Sequence, residues 1–66
     1  MLRIAQLRKA RGMSQRQLAE LVGISGAVVA EYELGRKTPR LETARKLAAA
    51  LGCSIDELID KEDESA

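Results

Sequence analysis

The chain has 66 residues, 45% of them hydrophobic and 32% charged, with one tyrosine, Tyr32, as its only aromatic residue, one cysteine, Cys53, and no histidine. That inventory suits a single small domain; it excludes an internal disulfide, a cysteine–histidine metal set and a nucleophile–base pair, and it offers neither the ~18-residue apolar run that crosses a bilayer nor, in the charge-interrupted start Met1-Leu2-Arg3-Ile4-Ala5-Gln6-Leu7-Arg8-Lys9, the apolar stretch of a signal peptide. The net charge of +1 conceals a segregation: residues 1–40 hold eight basic and three acidic residues, net +5, and residues 41–66 hold three basic and seven acidic residues, net −4, an asymmetry that favours a polyanionic partner for the first part.

Helix 1 is expected over residues 2–10, with Ile4 and Leu7 on one face and Arg11-Gly12 ending it. Ser14-Gln15-Arg16-Gln17 has the form of a capping box, with Ser14 as N-cap, Gln17 reaching back, and Met13 and Leu18 as its hydrophobic staple. Leu18, Ala19 and Val22 then repeat at helical spacing until Gly23, where a left-handed backbone is cheap only for glycine. Ser25 caps helix 3, with Ile24 and Val29 as a second staple, and Gly35 closes that helix after Leu34. Val29 and Tyr32 point inward, and Ala19 is small where the second helix crosses the first. Two short helices joined in this way form a helix-turn-helix, whose second helix enters the major groove of DNA.

After the basic loop Arg36-Lys37, Thr38 is read as N-cap and Pro39 as the first residue of helix 4. Leu41, Ala44, Leu47, Ala48 and Leu51 form its apolar stripe, and Gly52 stops it. Ser54-Ile55-Asp56-Glu57 is a second capping box, stapled by Cys53 and Leu58, that opens a short helix 5 over about 55–60. Residues 61–66 are acidic, lack apolar anchors and are expected to fray. The fold expected is all-α, with five helices in one domain over residues 1–60 and a tail over 61–66.

Leu7-Arg8, Arg11-Gly12-Met13-Ser14-Gln15, Leu18-Ala19, Gly23-Ile24-Ser25, Val29, Glu33, Gly35, Pro39 and the run from Leu51-Gly52 through Leu58 together resemble the phage-repressor-like (Xre/Cro type) DNA-binding family over about residues 2–60. The resemblance implies a lambda-repressor-like five-helix bundle that binds operator double-stranded DNA as a symmetric homodimer, in the cytoplasm and without a cofactor. It implies an ion pair between Arg8 and Glu33, so that Arg8→Ala or Glu33→Ala destabilises the fold. It also implies a phosphate contact from Gln15, which opens helix 2, where free N–H groups favour an anion. Arg16 lies beside Gln15, and Arg36, Lys37 and Arg40 complete a set of candidate phosphate contacts. Helix 5 and the segment before it, with Cys53, Ile55, Leu58 and Ile59, are candidates for dimer contact or for the monomer's own core.

Helix 3 should then read bases through Ser25, Gly26, Ala27, Ala30 and Glu31, with Val28 at the margin. Relatives usually carry more polar residues there, because groove discrimination uses paired donors and acceptors. Ala27 and Val28 suit thymine methyls, Glu31 suits a cytosine amino group, and Gly26 suits a close backbone approach. Leu34, where the family commonly has a polar residue, is either an exposed apolar contact or a peripheral core residue.

A regulator of transcription, most simply a repressor, is the first reading of these residues. A module that binds protein through the alanine- and valine-rich face of helix 3, with a toxin or another regulator as partner, is the second. An enzyme is not expected, because no catalytic constellation is present.

Overall fold

The computed structural model describes residues 3–59. Five helices follow one another: α1 (Ile4–Ala10), α2 (Gln15–Val22), α3 (Gly26–Glu33), α4 (Leu41–Leu51) and α5 (Ile55–Leu58). The starts of α2, α3 and α5 are written in side chains that satisfy the free N–H groups of a first turn. The Ser14 hydroxyl accepts from the Gln17 N–H at 3.0 Å while Gln17 Oε1 accepts from the Ser14 N–H at 2.8 Å, so both arms of the capping box are closed. Ser54 and Glu57 repeat the device on α5 at 3.1 and 3.3 Å. Ser14→Ala removes one arm and is expected to cost about 1 kcal/mol, a drop of roughly 4–8 °C in the thermal midpoint of a domain this size when helicity is followed by circular dichroism.

Gly23 makes the turn of the two-helix unit. Its φ of +81° is left-handed, and the reversal lets both Gly23 and Ile24 donate to the Ala19 carbonyl, at 2.8 and 3.0 Å. Ser25 then starts α3, its hydroxyl accepting from the Val28 N–H at 3.2 Å. At Gly52 the same left-handed turn ends α4, and a Cβ there would collide with the Arg11 guanidinium lying over it.

The helices enclose one core. Ile4 from α1, Leu18 from α2, Val29 from α3, Leu47 and Leu51 from α4 and Leu58 from α5 are almost wholly withdrawn from solvent. Ala19, Ala44 and Ala48 fill the close approaches, and Tyr32 closes one side. Met13, Ile24 and Cys53, the outer halves of the three expected staples, lie half-buried against this core. α2 packs on both α3 and α4, α4 also packs on α5, and α1 lies against α3 and α4. The helix-turn-helix is therefore held from behind by the rest of the chain.

Helix 4 begins later than expected. Arg40 is its N-cap, with extended backbone and no side-chain cap, and neither Thr38 nor Pro39 belongs to it. Pro39 is buried in the connection instead. Its ring anchors the segment between α3 and α4, a use of proline that competes with the helix-start position. Leu41, assigned to the apolar stripe, stands at the first turn of α4 and is 61% exposed; the buried stripe begins at Ala44. α1 starts at Ile4, with Arg3 as its N-cap, and α5 ends at Leu58, after which Ile59 is extended. The expectations for residue 2, residue 60 and the tail 61–66 lie outside the described residues.

Candidate nucleic-acid interface

α3 has two unlike sides. Val29 and Tyr32 are buried, Val28 is half-buried against the core, and Glu33 turns its carboxylate inward. On the other side Ala27 is exposed, Ala30 and Glu31 are half-exposed, and Leu34, the residue that caps the helix, is 64% exposed. Positions 27, 30, 31 and 34 share one helix face by their three- and four-residue spacing. They form a ridge of two methyl groups, one carboxylate and one isobutyl group. Leu34 is thus an exposed apolar residue and not a peripheral core residue. Of the other residues assigned to base reading, Ser25 is exposed but its hydroxyl oxygen is engaged as the cap. Gly26 is half-buried beside α2, where a Cβ would meet the Arg16 Cα at 3.9 Å, an ordinary contact.

The proximity of Gly26 to Arg16 brings the first turn of α2 beside the first turn of α3. Arg16 is exposed there, its Nε 3.3 Å from Glu20 one turn further on. At the opposite end of α3, Arg36 and Lys37 are exposed in the turn that closes the helix, both main-chain N–H groups directed at the Glu31 carbonyl at 2.9 and 3.4 Å. Arg40 is exposed at the start of α4. Cations therefore stand at both ends of the outward ridge.

Behind the ridge lies a hydrogen-bonded cluster that ties α1, α2 and α3 together. Arg8 donates through Nε to Glu33 Oε2 at 2.8 Å, through Nη2 to Glu33 Oε1 at 3.2 Å, and through Nη1 to the Met13 carbonyl at 2.8 Å. Gln15 Nε2 donates to Glu33 Oε1 at 2.9 Å. The Glu33 bond raises the affinity of the Arg8 guanidinium for its proton, against the effect of burial. Burial acts to raise the carboxyl of Glu33, but the hydrogen bonds from Arg8 and Gln15 and the charges of Arg8 and Lys9 prevail and hold it below its ordinary value. Gln15, read from sequence as a phosphate contact, thus has one amide N–H engaged inside the protein. Nothing in the local sequence signals this bond, which joins residues 18 positions apart.

The remaining surface offers little chemistry. A shallow groove between α1 and the α4–α5 junction, lined by Leu7, Arg11, Gly52, Cys53 and Glu57 among others, shares no residue with the α3 ridge. Burial and then the charge of Glu57 push the Cys53 thiol up, away from the reactive thiolate. Among the described residues no cluster of potential metal ligands occurs, and no helix is long and apolar enough to cross a membrane. Of the candidate dimer residues, Leu58 is fully buried in the core, while Cys53, Ile55 and Ile59 are half-buried.

Two helices crossing at a glycine turn, the second presenting an outward ridge between cations, define a helix-turn-helix domain. The helix-turn-helix family model matches residues 4–58, and the chain belongs to that family, in its phage-repressor-like (Xre/Cro type) branch of DNA-binding transcription regulators rather than enzymes. It is 45% identical over 56 residues to the cryptic phage CTXphi transcriptional repressor RstR of Vibrio cholerae, an alignment covering 85% of this chain and 50% of that protein. The crystal structure of the P22 c2 repressor in complex with a synthetic operator superposes with a TM-score of 0.84 at 33% identity, covering 88% of each chain. The restriction-modification controller C.AhdI of Aeromonas hydrophila gives 0.82 at 38% identity, covering 86% of each. The chain spans about half the length of the first curated relatives it matches.

Proposed function

We propose that the protein is a sequence-specific transcriptional regulator of the cytoplasm, a repressor that binds operator DNA as a homodimer with α3 in the major groove. One observation carries this reading: the exposed ridge of α3, at positions 27, 30, 31 and 34, lies between exposed cations at both of its ends. Ser25, Gly26, Ala27, Val28, Ala30 and Glu31 would meet base edges. Arg16, Arg36, Lys37 and Arg40 would neutralise phosphates. Gln15, whose second amide N–H has no partner among the described residues, would meet a phosphate at the start of α2. The likeness to a repressor solved on its operator supports this orientation.

The test is selection from a random pool of duplexes at two salt concentrations. The expected product is a palindrome whose half-sites lie about 34 Å apart, one turn of DNA, as two-fold symmetry requires. A uniform pool with steep salt loss would reduce the activity to non-specific binding. No retention at low salt would sink the regulator reading in favour of a protein partner.

A further inference from the structure

We infer that Glu31 sets base selectivity by accepting a hydrogen bond from an exocyclic amine of the major groove, cytosine N4 or adenine N6. This rests on the regulator reading above. The helix-turn-helix and its flanks up to residue 40 hold three acids: Glu20, Glu31 and Glu33. Glu20 is met by Arg16 at 3.3 Å, and Glu33 by Arg8 and Gln15 at 2.8 and 2.9 Å. Among the described residues the Glu31 carboxylate has no ion-pair or hydrogen-bond partner, although it stands half-exposed on the ridge between the cations. Its neighbours on that face, Ala27, Ala30 and Leu34, carry no hydrogen-bonding side-chain atom, and the Ser25 oxygen is held by the Val28 N–H. At positions 27, 30, 31 and 34 the one side chain with a hydrogen-bonding atom is Glu31, while the Ser25 hydroxyl, at the head of the helix, keeps its own proton to donate.

A carboxylate at neutral pH only accepts hydrogen bonds. In the major groove the donors are the amines of cytosine and adenine, whereas guanine N7 and O6 and thymine O4 are acceptors. Glu31 therefore attracts two bases and repels the other two, and it also repels the phosphates around it. It lowers affinity for DNA in general while favouring a subset of sites, which is discrimination by penalty as much as by attraction. A residue that merely maintained the helix would have neither effect.

Selection from a random duplex pool with the wild type, Glu31→Ala and Glu31→Gln, followed by titration of the recovered duplex and its single base-pair variants, tests this. Both replacements are good helix formers, so the variants should melt like the parent. For the wild type, one base pair in each half-site should keep its amine, cytosine N4 or adenine N6, on the same strand, with the reversed pair disfavoured roughly tenfold; the single base-pair variants say which of the two amines is read. Glu31→Ala should flatten that position alone and bind unselected duplex several-fold more tightly. Glu31→Gln should move the position towards adenine, whose N6 and N7 an amide meets together. The inference falls if Glu31→Ala keeps every base preference of the parent, whatever it does to the affinity for unselected DNA. If none of the three folded proteins retains DNA at low salt, the regulator reading falls and takes this inference with it.

Discussion

Replacing Glu33 with alanine should lower the unfolding free energy by about 3 kcal/mol, near the lower end of the range for breaking a buried pair, and should lower the melting midpoint by more than about 10 °C. The side chains of Arg8 and Glu33 are 11% and 9% exposed, so the loss strands a guanidinium that water barely reaches. Arg8 would keep its bond to the Met13 carbonyl but lose both bonds to the carboxylate, and Gln15 would lose its acceptor. A core of this size supplies only about 3–5 kcal/mol of net stability, so the variant should sit near its unfolding transition at physiological temperature. Glu20→Ala is the control, because the Arg16–Glu20 pair is 88% and 69% exposed and such pairs contribute little. If Glu33→Ala melts with the parent, the cluster does not hold the helices together.

The same cluster gives the domain an acid limit. The Glu33 carboxyl is held below its ordinary value of 4.5, so the folded protein takes up this proton less readily than the unfolded chain. Its contribution to stability is therefore complete above about pH 4.5 and is lost as pH falls below that value through the lower folded one. The stability gap between the wild type and Glu33→Gln, followed by denaturant unfolding across pH, should be constant from pH 5 to 7 and should narrow below about 4.5. A gap that widens on acidification would contradict the ion pair.

How much of this was legible in the sequence varied with the range of the interaction. Caps and stops are local: Ser14 with Gln17, Gly23, Ser25, and Ser54 with Glu57 each announce themselves within four residues, and each stands where it was expected. The inward positions of α3 follow from helical spacing alone. Local rules failed where a residue had two uses. Pro39 fits a helix start as well as a buried connection, and only packing against the rest of the chain decides for the latter, moving the start of α4 to Leu41. Leu41 extends a helical apolar pattern, but the first turn of α4 projects beyond the core that Ala44 and Leu47 meet. The Gln15–Glu33 bond was out of reach for a different reason. A glutamine at the head of a helix has a sufficient local role, and the partner that claims its amide arrives from the far end of the next helix.

Binding to duplex DNA should weaken roughly 150-fold per protomer between 50 and 200 mM salt. This follows from four cations, Arg16, Arg36, Lys37 and Arg40, each displacing about 0.9 counterion, for a slope near −3.6 in log affinity against log salt. A dimer engaging both half-sites doubles the slope to about −7 and the loss to roughly 20,000-fold. The magnitude of the slope therefore reports how many protomers bind. The double replacement Arg36→Ala with Lys37→Ala should flatten it by about 1.8 per protomer, because both side chains are exposed beside the α3 ridge and form no ion pair among the described residues. Arg16 should act differently. It must exchange Glu20 for a phosphate, so Glu20→Ala should raise affinity at low salt even though it barely changes stability. Gln15 is uncharged, so Gln15→Ala should lower affinity at every salt concentration and leave the slope where it was. Titrations at four or more salt concentrations separate these outcomes. An affinity indifferent to salt would mean that the cations do not face the duplex, and the orientation of α3 proposed here would be wrong.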